Sequence, residues 1–142
     1  MLFGKRERAI SRILIVEDEP LVAFDTEYLL GESGYEVVAT VDTLAEAVRV
    51  IGEEEIDLVL SDISLRGDGD GMDVARAAAA RNIPVLFVTA SSPVEAHSLA
   101  LGCLAKPYTD RMLKNALEAV DRKLRGEPLK RPPAGLSFYE GV

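Results

Sequence analysis

One cysteine and one histidine in 142 residues exclude several common chemistries. Cys103 cannot form a disulfide within the chain, and with His97 as its only soft companion there is no zinc-ligand spacing. Cys103 lies in an apolar, strand-like run and His97 reads as helix surface, so both are taken as structural rather than as a catalytic pair. No apolar stretch is long enough to span a bilayer. The opening residues, MLFGKRER, place their apolar residues before their charges, the reverse of a secretory signal. Basic residues are scarce too: 16 Lys and Arg face 24 Asp and Glu, a formal net charge of −8. Phosphate backbones are bound by clustered cations, so nucleic acid is an unfavourable partner. The composition implies a cytoplasmic protein with neither nucleic-acid nor membrane partners.

What is present suits a globular domain. Hydrophobic residues make up 48% and charged residues 28% of the chain, and its length is that of one domain with a core of its own. Five short apolar runs recur along it. RILIV (Arg12–Val16) ends in Glu17 and Asp18, and Pro20 then opens a helix with Leu21, Val22, Phe24, Tyr28 and Leu29 as its apolar stripe, closed by Gly31 and Gly34. EVVATV (Glu36–Val41) precedes a capping box, Thr43 with Glu46, that opens a helix to about Glu53. The third run, Ile56, Leu58, Val59 and Leu60, has the near-continuous character of a strand buried on both faces and stops at Asp62. A glycine-rich loop and an alanine-rich helix over 73–81 follow.

PVLFV (84–88) is the fourth run and ends in Thr89. Ser92 and Glu95 form a second capping box, which predicts a fourth helix over 93–101. The fifth run, 103–105, reaches Lys106 and Pro107; Thr109 then caps a last helix with Met112, Leu113, Ala116, Leu117, Val120 and Leu124 at helical spacing. Strands alternating with helices predict an α/β fold, a doubly wound five-stranded parallel sheet in the flavodoxin-like order with the first strand near the centre. Residues 1–11 read as an N-terminal extension and 12–125 as the domain. In 126–142, prolines and glycines predict a disordered tail, the alternative being that Phe138 and Tyr139 dock on the domain or on a partner.

In such a sheet the carboxyl ends of strands face the ligand crevice. There the pattern gathers Glu17, Asp18, Asp62, Thr89 and Lys106. Three carboxylates crowded in a partly dry cleft repel one another and want a hard cation, for which Mg²⁺ is suited. Lys106 supplies a point charge and Thr89 a hydroxyl, groups that would neutralise and hydrogen-bond a phosphoryl group carried by Asp62. An aspartate carboxylate can act as that nucleophile. Each residue has a bland reading alone, Asp18 as a cap, Thr89 as a strand end, Lys106 as a solvated loop lysine, but their joint placement is hard to reach by chance.

Over about 12–125 these motifs resemble the receiver domain of bacterial two-component response regulators, of the stand-alone, single-domain type. The resemblance rests on Glu17-Asp18 after the first strand, Asp62 after the third, Thr89 after the fourth, and Lys106-Pro107 after the fifth. It implies that Asp62 accepts a phosphoryl group from a sensor histidine kinase or a histidine phosphotransfer protein. It also implies that Asp18, Asp62 and the backbone carbonyl of Ser64 ligate Mg²⁺, with Glu17 acting largely through water. The Lys106–Pro107 peptide would be cis. The chain would then be no enzyme beyond its own phosphorylation and dephosphorylation, and would signal by protein contact or phosphorelay through the face made by the fourth helix, fifth strand and fifth helix.

Two departures stand out. Family members often carry an aromatic switch residue three positions before the lysine, where this chain has Cys103, and the loop 66–71 is one residue longer than usual and lacks its proline. A haloacid-dehalogenase-like phosphatase would need an acid at Ser64, and an EF-hand would need an acid or amide at Met72 or Arg66. The remaining alternative is a pseudo-receiver that works as an interaction module without phosphorylation.

Overall fold

Alternating apolar runs and capped helices build a layered sheet with helices on both faces. A computed structural model describes residues 8–90, 94–128 and 131–139. Its strands are β1 (Arg12–Val16), β2 (Glu36–Val41), β3 (Leu58–Ser61), β4 (Val85–Thr89), β5 (Gly102–Ala105) and β6 (Leu136–Phe138), in the order β2-β1-β3-β4-β5-β6. The first five pair in parallel in the order expected for a flavodoxin-like fold, and β6 joins antiparallel on β5. The helices are α1 (Pro20–Glu32), α2 (Leu44–Glu53), α3 (Gly71–Ala79) and α4 (Asp110–Leu124). None of them is long and apolar enough to cross a membrane.

Because side chains alternate along buried strands, each sheet face owns a core. Val16, Val59, Val85 and Phe87 pack with α2 and α3 on one face. Ile13, Leu58, Leu60, Leu86 and Leu104 pack with Leu30 of α1 and Leu113, Leu117 and Val120 of α4 on the other. Thr43 accepts from the Glu46 amide as the sequence predicts, while the Glu46 carboxylate turns to Arg49. Thr109 likewise caps α4 through the Met112 amide.

Four expectations need correction. Helix α3 starts at Gly71 rather than Asp73, because Asp70 accepts from the Met72 and Asp73 amides while Asp73 accepts from the Asp70 amide, a reciprocal cap the sequence spells as Asp-x-x-Asp. The helix expected over 93–101 is a single 3-10 turn, Val94–Ser98. Leu101 already donates to the Val85 carbonyl at 2.9 Å, so the chain must be extended by then, and the Ser98 hydroxyl takes the Glu95 carbonyl. Ser92 and Pro93 lie outside the described residues. Only part of the apolar stripe read on α1 faces the core: Leu29 packs against it and Val22 is half-buried, whereas Leu21, Phe24 and Tyr28 are 80%, 67% and 64% exposed, and the fully buried positions are Thr26 and Leu30.

The fourth correction concerns the chain ends. The tail predicted to be disordered supplies β6 with Leu136 and Tyr139 buried, so the docking alternative holds over 136–139 and the sheet has six strands. Gly135 makes the entry possible at φ +84°, where a side chain would be strained and would also meet the Met112 methyl. β5 is therefore an interior strand rather than an edge. At the other end Ile10, read as part of an extension, is fully buried.

Asp121 fixes that beginning. Its carboxylate accepts from the Ala9 and Ile10 amides and from Arg125 Nε at 3.3, 2.9 and 2.7 Å. Burial alone would raise its pKa, but the Ile10 amide, Arg125 and the Ala9 amide outweigh burial and hold it below the usual 3.8. A carboxyl lowered on folding stabilises the fold above its unfolded pKa, and that contribution vanishes as pH falls through the folded value. Asp121→Asn is therefore expected to cost about 2 kcal/mol at pH 7. Urea unfolding at neutral and acid pH checks this: the gap between variant and parent should close as pH drops below 3.8.

Candidate functional site

Three lateral hydrogen bonds lace the carboxyl ends of the strands into one rim. The Glu17 amide donates to the Val41 carbonyl, the Asp62 amide to Val16, and the Lys106 amide to Thr89, at 2.9, 3.0 and 2.9 Å. Parallel register thus brings residues 17, 62, 89 and 106, far apart in sequence, onto neighbouring strand ends. Glu17, Asp18 and Asp62 each offer a carboxylate oxygen within 4.8 Å of the others. Lys106 reaches in across them: Nζ lies 2.7 Å from Asp62 Oδ2, 3.6 Å from Glu17 Oε1 and 3.9 Å from Glu19 Oε2. The Lys106–Pro107 peptide is cis, as expected.

The electrostatics are unbalanced. At 4.8 Å two full negative charges repel by roughly 3 kcal/mol at the effective dielectric of a partly buried site, and one ammonium cannot offset three carboxylates. Burial pushes the Glu17 carboxyl up, while the Glu19 amide on its Oε2 and the Lys106 charge pull the other way. Burial would lower the Lys106 ammonium, yet the hydrogen bond and charge of Asp62, with Glu17 and Glu19 behind, hold its pKa raised and the group cationic. A divalent hard cation fits this donor set, whose ligands are all oxygens and whose net charge is negative. Asp62 keeps Oδ2 on Lys106 and Oδ1 on the Ser64 amide at 3.2 Å, which fixes the plane of the carboxylate.

Each residue predicted from sequence is accounted for. Glu17, Asp18, Asp62 and Lys106 converge; Thr89 is buried at the end of β4 with its carbonyl on Lys106; Ser64 lies beside Asp62 through its amide. The sequence reading missed Glu19, although the run Glu17-Asp-Glu19 was in view. It also missed Tyr108, which follows Lys106-Pro107, hydrogen-bonds the buried Thr26 of α1, and has its phenol pKa pushed up by burial. A cleft of about 490 Å³ opens next to Lys106, lined by Glu19, Val22, Thr26, Ala90, Tyr108 and Leu113 among others.

Gly71 is a further positioning element. A Cβ built there would stand 2.2 Å from the Asp62 carbonyl oxygen and 2.6 Å from Ile63 Cα, so only glycine lets the start of α3 press on the peptide that follows Asp62. Its amide donates to the Ile63 carbonyl at 2.7 Å. Gly71→Ala is expected to lower stability by about 2 kcal/mol, the usual cost of overpacking. Urea unfolding checks the magnitude, and shifted amide resonances at Asp62 and Ser64 would show that the strain reaches the site.

Comparison with known proteins agrees with this geometry. The family model described as the response regulator receiver domain matches residues 13–118. The transcriptional regulatory protein PdtaR of Mycobacterium tuberculosis is 32% identical over 120 residues, covering 80% of this chain and 58% of that one. A CheY-like response regulator receiver domain protein from Methanospirillum hungatei superposes with a TM-score of 0.70 at 29% identity, over 82% of this chain and 95% of that one. The receiver domain of the sensor histidine kinase PA1611 from Pseudomonas aeruginosa, solved with a magnesium ion in its active-site cleft, gives a TM-score of 0.67 at 28% identity, over 77% and 95%. The chain spans 31% to 58% of the length of the curated relatives it matches.

Proposed function

Since the chain belongs to the response regulator receiver family, we propose that it is a phosphoacceptor receiver in which Asp62 takes a phosphoryl group from a histidine of a sensor kinase or phosphotransfer protein. A receiver is not a conventional enzyme; the only chemistry is on its own side chain. The observation that carries the reading is the cluster of Glu17, Asp18 and Asp62 within 4.8 Å, with Lys106 2.7 Å from Asp62. In the transfer, an Asp62 oxygen forms a bond to phosphorus as the phosphorus–nitrogen bond breaks, and the donor imidazole keeps the electron pair. An acyl phosphate and a free histidine result.

Asp18, Asp62 and the Ser64 carbonyl would hold Mg²⁺, with Glu17 linked through water. Bound there, the cation supplies charge neutralisation for Asp62 and the incoming phosphoryl oxygens. Lys106 follows the charge on the phosphoryl group, and Thr89 offers it a hydroxyl. The donor docks on α1, where Leu21, Phe24 and Tyr28 leave an apolar stripe in solvent. The outgoing signal leaves by protein contact or phosphorelay, from the face where the 3-10 turn, β6 and α4 meet, because β6 covers the β5 edge expected to form part of that face. Incubation with acetyl phosphate and Mg²⁺ tests the proposal: intact mass should rise by one phosphate, and an unchanged mass would reject it in favour of an interaction module without phosphorylation.

A further inference from the structure

The C-terminal strand ends on a short line of contacts that leads back to the site. Alternation along the segment sends Leu136 and Phe138 toward α4, where Lys123 Nζ lies 4.9 Å from the Phe138 ring centre, and sends Tyr139 to the opposite sheet face. There the buried Tyr139 ring stacks on His97, with centroids 4.2 Å apart and 17° between planes. Its amide donates to the Leu101 carbonyl at 2.9 Å. Its side chain also hydrogen-bonds Cys103, and Cys103 is in turn hydrogen-bonded to the backbone of Thr89. Cys103 faces Phe87 on β4 and Ser137 on β6, so one small side chain joins the strand that carries Thr89 to the strand that carries the tail. The ring that packs there comes from the segment after β6 rather than from β5 itself.

We infer that the segment Leu136–Tyr139 reports the state of Asp62, with Tyr139 a positioning residue that acts on Thr89 through Cys103; this rests on the receiver reading above. Drawing the Thr89 hydroxyl toward phosphoryl oxygens pulls the same backbone that holds Cys103, and so loosens the seat of Tyr139. β6 is suited to respond, because a three-residue edge strand is among the least stable parts of a sheet. Coupling between sites is reciprocal, so a tail that docks less well when the site is loaded must, by docking, weaken loading. Gly102 gives an independent handle on the contact. A Cβ there would come within 2.2 Å of the Ser137 carbonyl oxygen, so Gly102→Ala forces β6 away without touching Asp62, Thr89 or Lys106.

The test measures hydrogen exchange at the Tyr139 amide by NMR in the full chain with Mg²⁺, before and after saturation with beryllofluoride as the phosphoryl mimic. Saturation is followed separately at the Lys106 amide. Exchange at Tyr139 should speed up about fivefold on loading, and Thr89→Ala should remove that response. In the reverse direction, Tyr139→Ala and Gly102→Ala should each bind beryllofluoride about fivefold more tightly, the low end of typical coupling. Saturation at Lys106 with unchanged exchange at Tyr139 in the parent protein would overturn the inference while leaving the receiver reading in place. Absence of any beryllofluoride binding would remove the receiver reading, and this inference with it.

Discussion

Asp62→Asn is expected to abolish phosphate uptake, from small-molecule and protein donors alike. An amide oxygen is a poor nucleophile and cannot form a stable acyl phosphate, so the loss should be complete. The substitution keeps size and shape, and the amide oxygen can still accept from the Ser64 amide that holds Oδ1 at 3.2 Å. Lys106 retains Glu17 at 3.6 Å and Glu19 at 3.9 Å as counter-charges. The variant should therefore fold, and a thermal unfolding scan beside the labelling assay separates lost chemistry from lost structure. Continued incorporation of one phosphate by the folded variant would move the acceptor elsewhere.

Asp18→Asn should have the next largest effect. Glu17 and Asp62 are buried, whereas Asp18 is part-exposed at the mouth of the cluster, the position from which a carboxylate can meet an arriving hydrated cation. Replacing a full charge by a dipole next to a divalent ion removes at least about 3 kcal/mol of attraction at a partly buried site, or about a hundredfold in affinity. Mg²⁺ titration by calorimetry should show that loss, and acetyl phosphate labelling should fall with it. The parent protein in excess chelator should behave like the variant. Undiminished labelling under chelation would show that the carboxylates serve some purpose other than holding the cation.

The site was more legible in the sequence than the surface around it. Buried parallel strands write themselves as continuous apolar runs, and their ends are marked by the residue that breaks the run, so Asp18, Asp62, Thr89 and Lys106 fall on one rim from the sequence pattern alone. What a local pattern cannot encode is which partner a segment meets. The stripe Leu21, Phe24 and Tyr28 has helical spacing whether it faces a core or a docking protein, and only the packing shows it in solvent. The tail has the prolines and glycines of disorder, yet Leu136 and Tyr139 find places because β5 has an open edge and position 102 is glycine. Gly71 was unreadable for the same reason, since its role is a close approach to the peptide after Asp62, a contact across the fold. The shortened turn at Val94–Ser98 follows from β5 beginning to pair at Leu101, again a tertiary demand that overrides a local cap.

Phosphorylation at Asp62 is read most directly from the carboxylate that it modifies. The protein labelled with acetyl phosphate and Mg²⁺ can be reduced with borohydride, which converts an aspartyl phosphate to homoserine and leaves free carboxylates untouched. Peptide mass spectrometry then reads the modified position. Homoserine is expected at position 62 alone, with the peptides that hold Glu17 and Asp18 unchanged. Homoserine at another aspartate, or a labelled protein with none at 62, would contradict it.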